Sequence, residues 1–326
     1  SYAMNETPHN VETHNQNDTP REDYDFTFAV ESDTQYYNED YDGNTDQSND
    51  GQYQHQMNIH NWLLGNRQRM NIQYLFHDGD IIDDEPNIQE WEQADAAYKK
   101  LDVAKFPYGV LAGNHDVGHL NGDYSNYTQY FGENRYLSNP WYGGSYKNNR
   151  GHYDLISVDG IDFIMLYMGW GIGDEEIQWM NDVLAQYPER KAILNFHEYL
   201  LASGGLGEEP QRIYDEVVSK NENVCMVLSG HYHNAKTRID TFTNADGSTR
   251  KVYNMLFDYQ GLMEGGAGYI RLMHFDVEGQ RMIVRTFTPS YGGSDFSNYG
   301  DYDAKPSETP NPGNEFSVEN ANLNDA

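Results

Sequence analysis

Val224-Cys225-Met226-Val227-Leu228-Ser229-Gly230-His231-Tyr232-His233 is an uncharged apolar run that breaks at a glycine and delivers the chain straight to two histidines. Residues 224–228 have the length and the continuous hydrophobicity of a strand buried on both faces. A glycine at that point allows a tight strand-to-loop turn, and Gly-His-Tyr-His after a buried strand is seldom merely structural.

Five earlier runs have the same character: residues 26–30, 72–76, 108–111, 163–167 and 192–196. Helical patterns fall between them at 54–69, 88–101, 175–187 and 210–220, so strand and helix alternate in the manner of βαβ units. After His233 the rhythm becomes strand upon strand, at 236–240, 251–256, 269–275 and 282–286, with turn signals at Asp246-Gly247 and Glu278-Gly279. This end reads as antiparallel. The stretch 132–154, rich in Tyr, Asn and Gly, reads as a long loop that offers Trp141 and Tyr142 for substrate contact. One catalytic α/β domain is expected over 24–290. The polar segments 1–23 and 291–326 have too little apolar surface to order themselves.

Chemistry-bearing residues cluster just past the strand ends, where open α/β sheets place their ligand crevices. The first strand runs into Asp33-Thr34-Gln35, the second into His77-Asp78-Gly79-Asp80, and the third into Gly113-Asn114-His115-Asp116. The fifth ends at His197 and the sixth at His231 and His233. Oxygen and imidazole donors of this kind suit divalent first-row metals, and two such ions about 3.5–4 Å apart clamp both oxygens of an in-line displacement. Among other polar residues, His77 as a support for Asp80, and His119 and His152 as lining the mouth, are each weighed against satisfied structural roles.

Taken in order, Asp-x-Gln, Gly-Asp, Gly-Asn-His-Asp, a lone His and Gly-His-x-His resemble the calcineurin-like metallophosphoesterases, over roughly residues 25–290. Asp258-Tyr259-Gln260, Gly265-Gly266, the run from Gly268 to Leu272 and Thr286-Phe287-Thr288-Pro289 resemble exported bacterial members of that family. The resemblance implies a four-layer α/β sandwich, two mixed sheets flanked by helices. It implies that Asp33, Gln35, Asp80 and His233 hold one ion, and that Asp80, Asn114, His197 and His231 hold another, with Asp80 shared. The cofactors implied are two divalent or mixed-valence ions of Mn, Fe or Zn. The implied reaction is phosphoester hydrolysis, mono- or diester, by a metal-bound hydroxide. His115 would protonate the leaving oxygen, with Asp116 orienting its ring. Gln35 departs from the histidine of many members. Its amide oxygen either makes the first site harder, favouring manganese or iron over zinc, or leaves it poorly occupied.

Composition narrows the partners. With 52 acids against 21 bases the net charge is −31, which disfavours nucleic acid as a partner. A small soluble phosphoester, such as a nucleotide or phosphorylated metabolite, is expected instead. Residues 31–50 hold seven acids and no base, and read first as a solvated face. Cys225 is the single cysteine, so an intrachain disulfide and a thiolate metal cluster are both excluded. No apolar run reaches membrane-spanning length. The chain opens at Ser1, with Ser-Tyr-Ala ahead of Met4, as though a leader or preceding domain had been removed. Together with the acidity and polar ends, this suits a secreted or cell-surface bacterial protein, a cytoplasmic one staying open. The rival expectation is a surface binding module that keeps the fold and has lost turnover, with Gln35 as its sign.

Overall fold

The structure is a computed structural model, and it describes residues 19–39, 52–118, 122–291 and the backbone of 316–319. Two mixed sheets stack face to face. One has the strand order β13 (Phe316–Glu319), β12 (Arg281–Phe287), β11 (Ile270–Asp276), β1 (Phe26–Glu31), β2 (Ile72–His77), β3 (Tyr108–Gly109). The other runs β4 (Tyr142–Tyr146), β5 (Gly151–Val158), β6 (Ile161–Met168), β7 (Lys191–Phe196), β8 (Val224–Ser229), β10 (Thr249–Phe257), β9 (Ala235–Thr243). Helices α1 (Tyr53–Asn66), α2 (Ile88–Val103) and α3 (Ser125–Phe131) share an apolar cluster with the first sheet, and α4 (Asp174–Gln186) and α5 (Glu208–Ile213) with the second.

The layering follows from the two-residue period of a strand. In β1, Phe26, Phe28 and Val30 point into the core between the sheets, against Phe163 and Met165 of β6 and Met226 of β8, while Ala29 joins Trp62 and Leu63 under the helices. In β6 the alternation is the same: Phe163, Met165 and Tyr167 face inward, Ile164, Leu166 and Met168 face α4. Both faces of the central strands are thus covered, which is why they read as unbroken apolar runs. No described helix is long and apolar enough to cross a membrane.

The stretch expected as a loop at 132–154 is largely a hairpin, β4 antiparallel to β5. It escaped a pattern reading because Gly143 and Gly144 leave the room that the Tyr153 ring fills: a Cβ on Gly143 would sit 2.3 Å from that ring. Trp141, partly buried, packs on the inter-sheet core, and Tyr142 donates to Asn149 at 2.6 Å, so each has a structural role in the hairpin. His152 likewise stacks on Tyr167 at 4.4 Å inside the core, not at a mouth. Of the segment 31–50, Glu31 and Asp33 are buried, so its first part is no solvated face. Residues 1–18, 40–51 and His119 lie outside the described residues. The polar ends are not wholly apart from the fold: Arg21 donates to Arg69 O at 2.9 Å, and Phe316–Glu319 pairs antiparallel with β12.

A buried histidine gives the fold a pH signature. His274 on β11 hydrogen-bonds Thr27 Oγ1 at 2.7 Å and stacks on Tyr24 at 4.1 Å. Thr27 already donates to Met70 O, so the ring must donate from Nδ1, leaving Nε2 bare. Burial, with Arg285, Arg21 and Arg69 nearby, pushes its pKa down to about 3 from 6.5. The unfolded chain takes up the proton near 6.5 and the folded one does not, so stability is held above that value and lost as pH falls from it toward 3. The expected result is a melting temperature that drops between pH 7 and pH 5 less steeply in His274→Gln than in wild type. Parallel slopes would remove His274 from the account.

Candidate metal centre

Five parallel strands, β1, β2, β3, β7 and β8, end on one side of the molecule, and the loops that leave them converge. Asp33 follows β1, Asp80 follows β2, Asn114 follows β3, His197 follows β7 and His231 follows β8. Three of these residues, Asp33 (φ 52°), Asp80 (φ 55°) and His231 (φ 73°), stand in the left-handed region, a conformation L-residues avoid unless the surroundings enforce it.

Asp80 is central. Its Oδ1 accepts from the His115 backbone N at 2.9 Å, while Oδ2 lies 3.3 Å from Gln35 Nε2 and 3.3 Å from His197 Nε2. His197 Nε2 in turn is 3.1 Å from Asn114 Oδ1 and 3.0 Å from His231 Nδ1. His197 Nδ1 donates to Asp78 O at 2.7 Å, which fixes the tautomer and turns Nε2 inward. Asp33 accepts from Ser32 Oγ at 2.7 Å and from the His231 backbone N at 3.2 Å. Six of the seven residues expected to hold metal are thus joined by hydrogen bonds or close contacts. His233 stands at the rim: its ring is exposed and, among the described residues, hydrogen-bonds none of the others, but it interacts electrostatically with both Asp80 and His231.

The residues present fit metal ions. Asp80, His197 and His231 offer ligand atoms all within 4.8 Å of one another. Gln35 Oε1 is buried with no hydrogen-bond partner. The backbone is drawn in so closely that a Cβ on Gly113 would sit 2.2 Å from Asp80 Oδ1, and one on Gly230 would sit 2.1 Å from Asp33 Oδ2. Electrostatics also call for a cation. Burial, with repulsion from Asp258 and Asp80, holds the Asp33 carboxyl well above its usual range. Burial and the adjacent His197 push His231 down to about 4, leaving the neutral imidazole that a metal needs. Burial would lower His197 too, but Asp80 outweighs it and raises the ring to about 9. His197 would hold an ion through Nε2 in place of that proton.

His115 stands at the edge of this cluster with 38% of its side chain exposed. Its ring is oriented by Asp83, not by Asp116: Nδ1 donates to Asp83 O at 2.8 Å and lies 3.4 Å from Asp83 Oδ1. Asp116 instead accepts from the backbone N of Gly113 (2.8 Å), Ile81 and Ile82 (3.1 Å each), tying the loop after β3 to the loop after β2. Three converging amides fix the direction of its carboxylate, which acts on the His115 ring through charge alone. His77 supports the turn that carries Asp80, its Nδ1 accepting from Gly79 N at 3.1 Å, and its Nε2 lies 2.9 Å from Thr34 Oγ1.

Four residues at the centre were not foreseen as part of it. Trp170 flanks the two histidine rings, 5.8 Å from His197 and 5.4 Å from His231. Glu198 accepts from Tyr232 OH at 2.7 Å and lies 3.9 Å from His231 Nε2. Asp258 and Gln260 follow β10, which pairs parallel with β8 although it belongs to the part of the chain that reads as antiparallel. Its carboxyl end therefore opens on the same crevice. The signal was a strand ending on a second Asp-x-Gln triplet, the same as at 33–35.

Two sheets between helices, with oxygen and imidazole donors gathered at the strand ends, are the fold and site of a metal-dependent phosphoesterase. The family model for calcineurin-like phosphoesterases matches residues 26–235, and the chain belongs to that family. It is 50% identical over 266 residues to the uncharacterized protein YvnB of Bacillus subtilis, a match covering 81% of this chain and 20% of that protein. It is 26% identical over 176 residues to a probable glycerophosphodiester phosphodiesterase, GpdQ, of Arcobacter nitrofigilis, covering 49% of this chain and 56% of that one. The chain thus spans about a fifth and about half of these two curated relatives. Among solved structures, the fold is similar to a dimetal phosphatase from Danio rerio (TM-score 0.50, 14% identity, 82% of this chain and 97% of that one). It is also similar to the purple acid phosphatase PPD1 of yellow lupin (TM-score 0.53, 14% identity, 90% of this chain and 53% of that one).

Proposed function

We propose that this domain hydrolyses small soluble phosphodiesters, with Asp33, Gln35, Asp80 and His233 holding one ion and Asp80, Asn114, His197 and His231 the other. The observation that carries the reading is the Asp80 carboxylate, whose one oxygen lies 3.3 Å from a donor of each set, Gln35 and His197. When bound, the ions supply Lewis acidity toward the phosphoryl group and toward a water molecule, worth several kcal/mol of charge stabilisation. His115 supplies the proton for the leaving oxygen from Nε2, because Nδ1 is committed to Asp83. Trp170 and the Tyr232–Glu198 pair flank the His231 side of the centre.

Two considerations support the diester. The name of the Arcobacter relative points to a phosphodiester. Glu198 and Asp83 also stand close to the centre, and they repel the second negative charge of a monoester more than they repel a singly charged diester. The strongly acidic chain supports a small substrate over nucleic acid. Bis(p-nitrophenyl) phosphate is expected to release p-nitrophenol faster than p-nitrophenyl phosphate. Chelation is expected to abolish release, and manganese, iron or zinc to restore it. A faster monoester reverses the substrate assignment, and no metal-dependent release from either leaves the binding-module reading in its place. Export to a bacterial surface belongs to the same proposal; cleavage of the domain by protease added to intact cells tests it.

A further inference from the structure

On the His231 side of the centre stands a carboxylate with no cation to balance it. Glu198 comes directly after His197, just past the end of β7, and only 21% of its side chain is exposed. Its Oε2 accepts from Tyr232 OH at 2.7 Å. The His231 ring turns Nδ1 toward His197, 3.0 Å away, and Nε2 toward Glu198, but at 3.9 Å that nitrogen is beyond hydrogen-bond reach. Among the described residues, no lysine or arginine lies within ion-pair distance of Glu198. Such a group repels the anion that a phosphoesterase must admit. The repulsion is offset when the substrate carries a positive charge of its own.

Two aromatic rings stand on the same side. Trp170 lies 5.4 Å from the His231 ring and 5.8 Å from the His197 ring, and Tyr232 lies 4.7 Å from His231. The backbone fixes Trp170 in place: its N donates to Ala112 O at 2.9 Å, and its O accepts from Tyr124 OH at 2.6 Å. Both rings are partly exposed. Trp and Tyr faces attract alkylammonium groups through the ring quadrupole, and an adjoining carboxylate adds its charge. A neutral apolar substituent would gain the same aromatic surface but would cover Glu198 with nothing to pair it.

We propose that Glu198, Trp170 and Tyr232 form a subsite for an alkylammonium group, so that the domain selects phosphodiesters in which one alcohol carries that cation. The inference rests on the phosphodiesterase reading and names the substrate class of the same centre. A diester of this kind is a zwitterion without net charge, so a chain of net charge −31 does not repel it at long range.

The test is a competition on metal-loaded protein between p-nitrophenyl phosphorylcholine and its neutral carbon isostere, in which tert-butyl replaces trimethylammonium. Both are supplied at the same concentration, and phosphorus NMR counts cleavage of either ester bond. The ratio of the two rates of loss then equals the ratio of kcat/KM, whatever the fraction of active protein. Wild type is expected to consume the choline ester about 10-fold faster. Glu198→Gln, which keeps the shape and removes the charge, is expected to bring the ratio close to one, and Trp170→Leu to lower it, with circular dichroism establishing that each variant is folded. A wild-type ratio of one overturns the proposal. So does Glu198→Gln slowing both esters alike with the ratio kept, which is what a residue that merely steadies His231 would do. Loss of both esters at equal rates sinks this inference alone, whereas loss of neither sinks the hydrolase reading and this one with it.

Discussion

Asp80→Ala is expected to abolish metal-dependent hydrolysis and to leave the protein with neither ion at normal affinity. The carboxylate has neighbours from both proposed ligand sets, Gln35 and His197 each 3.3 Å from Oδ2, and its Oδ1 also holds the backbone of His115. Removing it would delete the one carboxylate common to both proposed ligand sets and leave His197 without its partner at Nε2. Several kcal/mol of Lewis-acid stabilisation then disappear, and at about 1.4 kcal/mol per tenfold this is a loss of about three to four orders of magnitude. Metal content by mass spectrometry and p-nitrophenol release read the two effects separately. Asp80→Asn keeps the backbone preference for the left-handed region and is expected to fold at least as well, with the same loss of metal. Full activity in either variant would end the shared-ligand assignment.

His115→Ala is expected to keep both ions yet turn over about 10²–10⁴-fold more slowly, the usual worth of a positioned proton donor. Metal content should not change, because what His115 contributes to Asp80 is its backbone N, which alanine retains. The wild-type rate is expected to fall on the alkaline side. Burial lowers the His115 pKa, but Asp80, Asp83 and Asp116 outweigh it and raise the ring above its ordinary 6.5. The protonated acid therefore persists to a higher pH than a free histidine allows, and the rate is lost as pH rises through that raised value. Asp83→Asn should bring this limb to lower pH, whereas Asp116→Asn should act chiefly on stability, through the three backbone donors it satisfies. A pH limb unmoved by Asp83→Asn and shifted by Asp116→Asn would restore the orienting role to Asp116.

What could be read from residues alone divides along physical lines. The central strands β1, β2, β7 and β8 were legible to within a residue or two, because burial on both faces leaves no room for polar interruptions. The candidate ligand residues at their ends were legible for the same reason, since each stands where an apolar run stops abruptly. The strand at 108 was expected to be longer than Tyr108–Gly109, because apolar Val110 and Leu111 extend the run without extending the pairing. The β4–β5 hairpin stayed hidden behind glycines whose partner is a ring on the facing strand. Sheet order and direction were not legible, since pairing is decided by contacts far apart in the chain. That concealed the parallel placement of β10 beside β8, and with it Asp258 and Gln260. Which carboxylate orients His115 depended on three backbone amides that no pattern of side chains reveals.

The left-handed backbone at Asp33, Asp80 and His231 restricts the routes by which this centre can change. Valine, isoleucine or threonine at those positions would meet a steric penalty before any question of chemistry arose, whereas asparagine and glycine tolerate the geometry. Descendants that have lost their ions and kept their shape should therefore carry asparagine or glycine at these three places, and a library built to explore new metals gains most by varying residues 35, 114 and 260 around them.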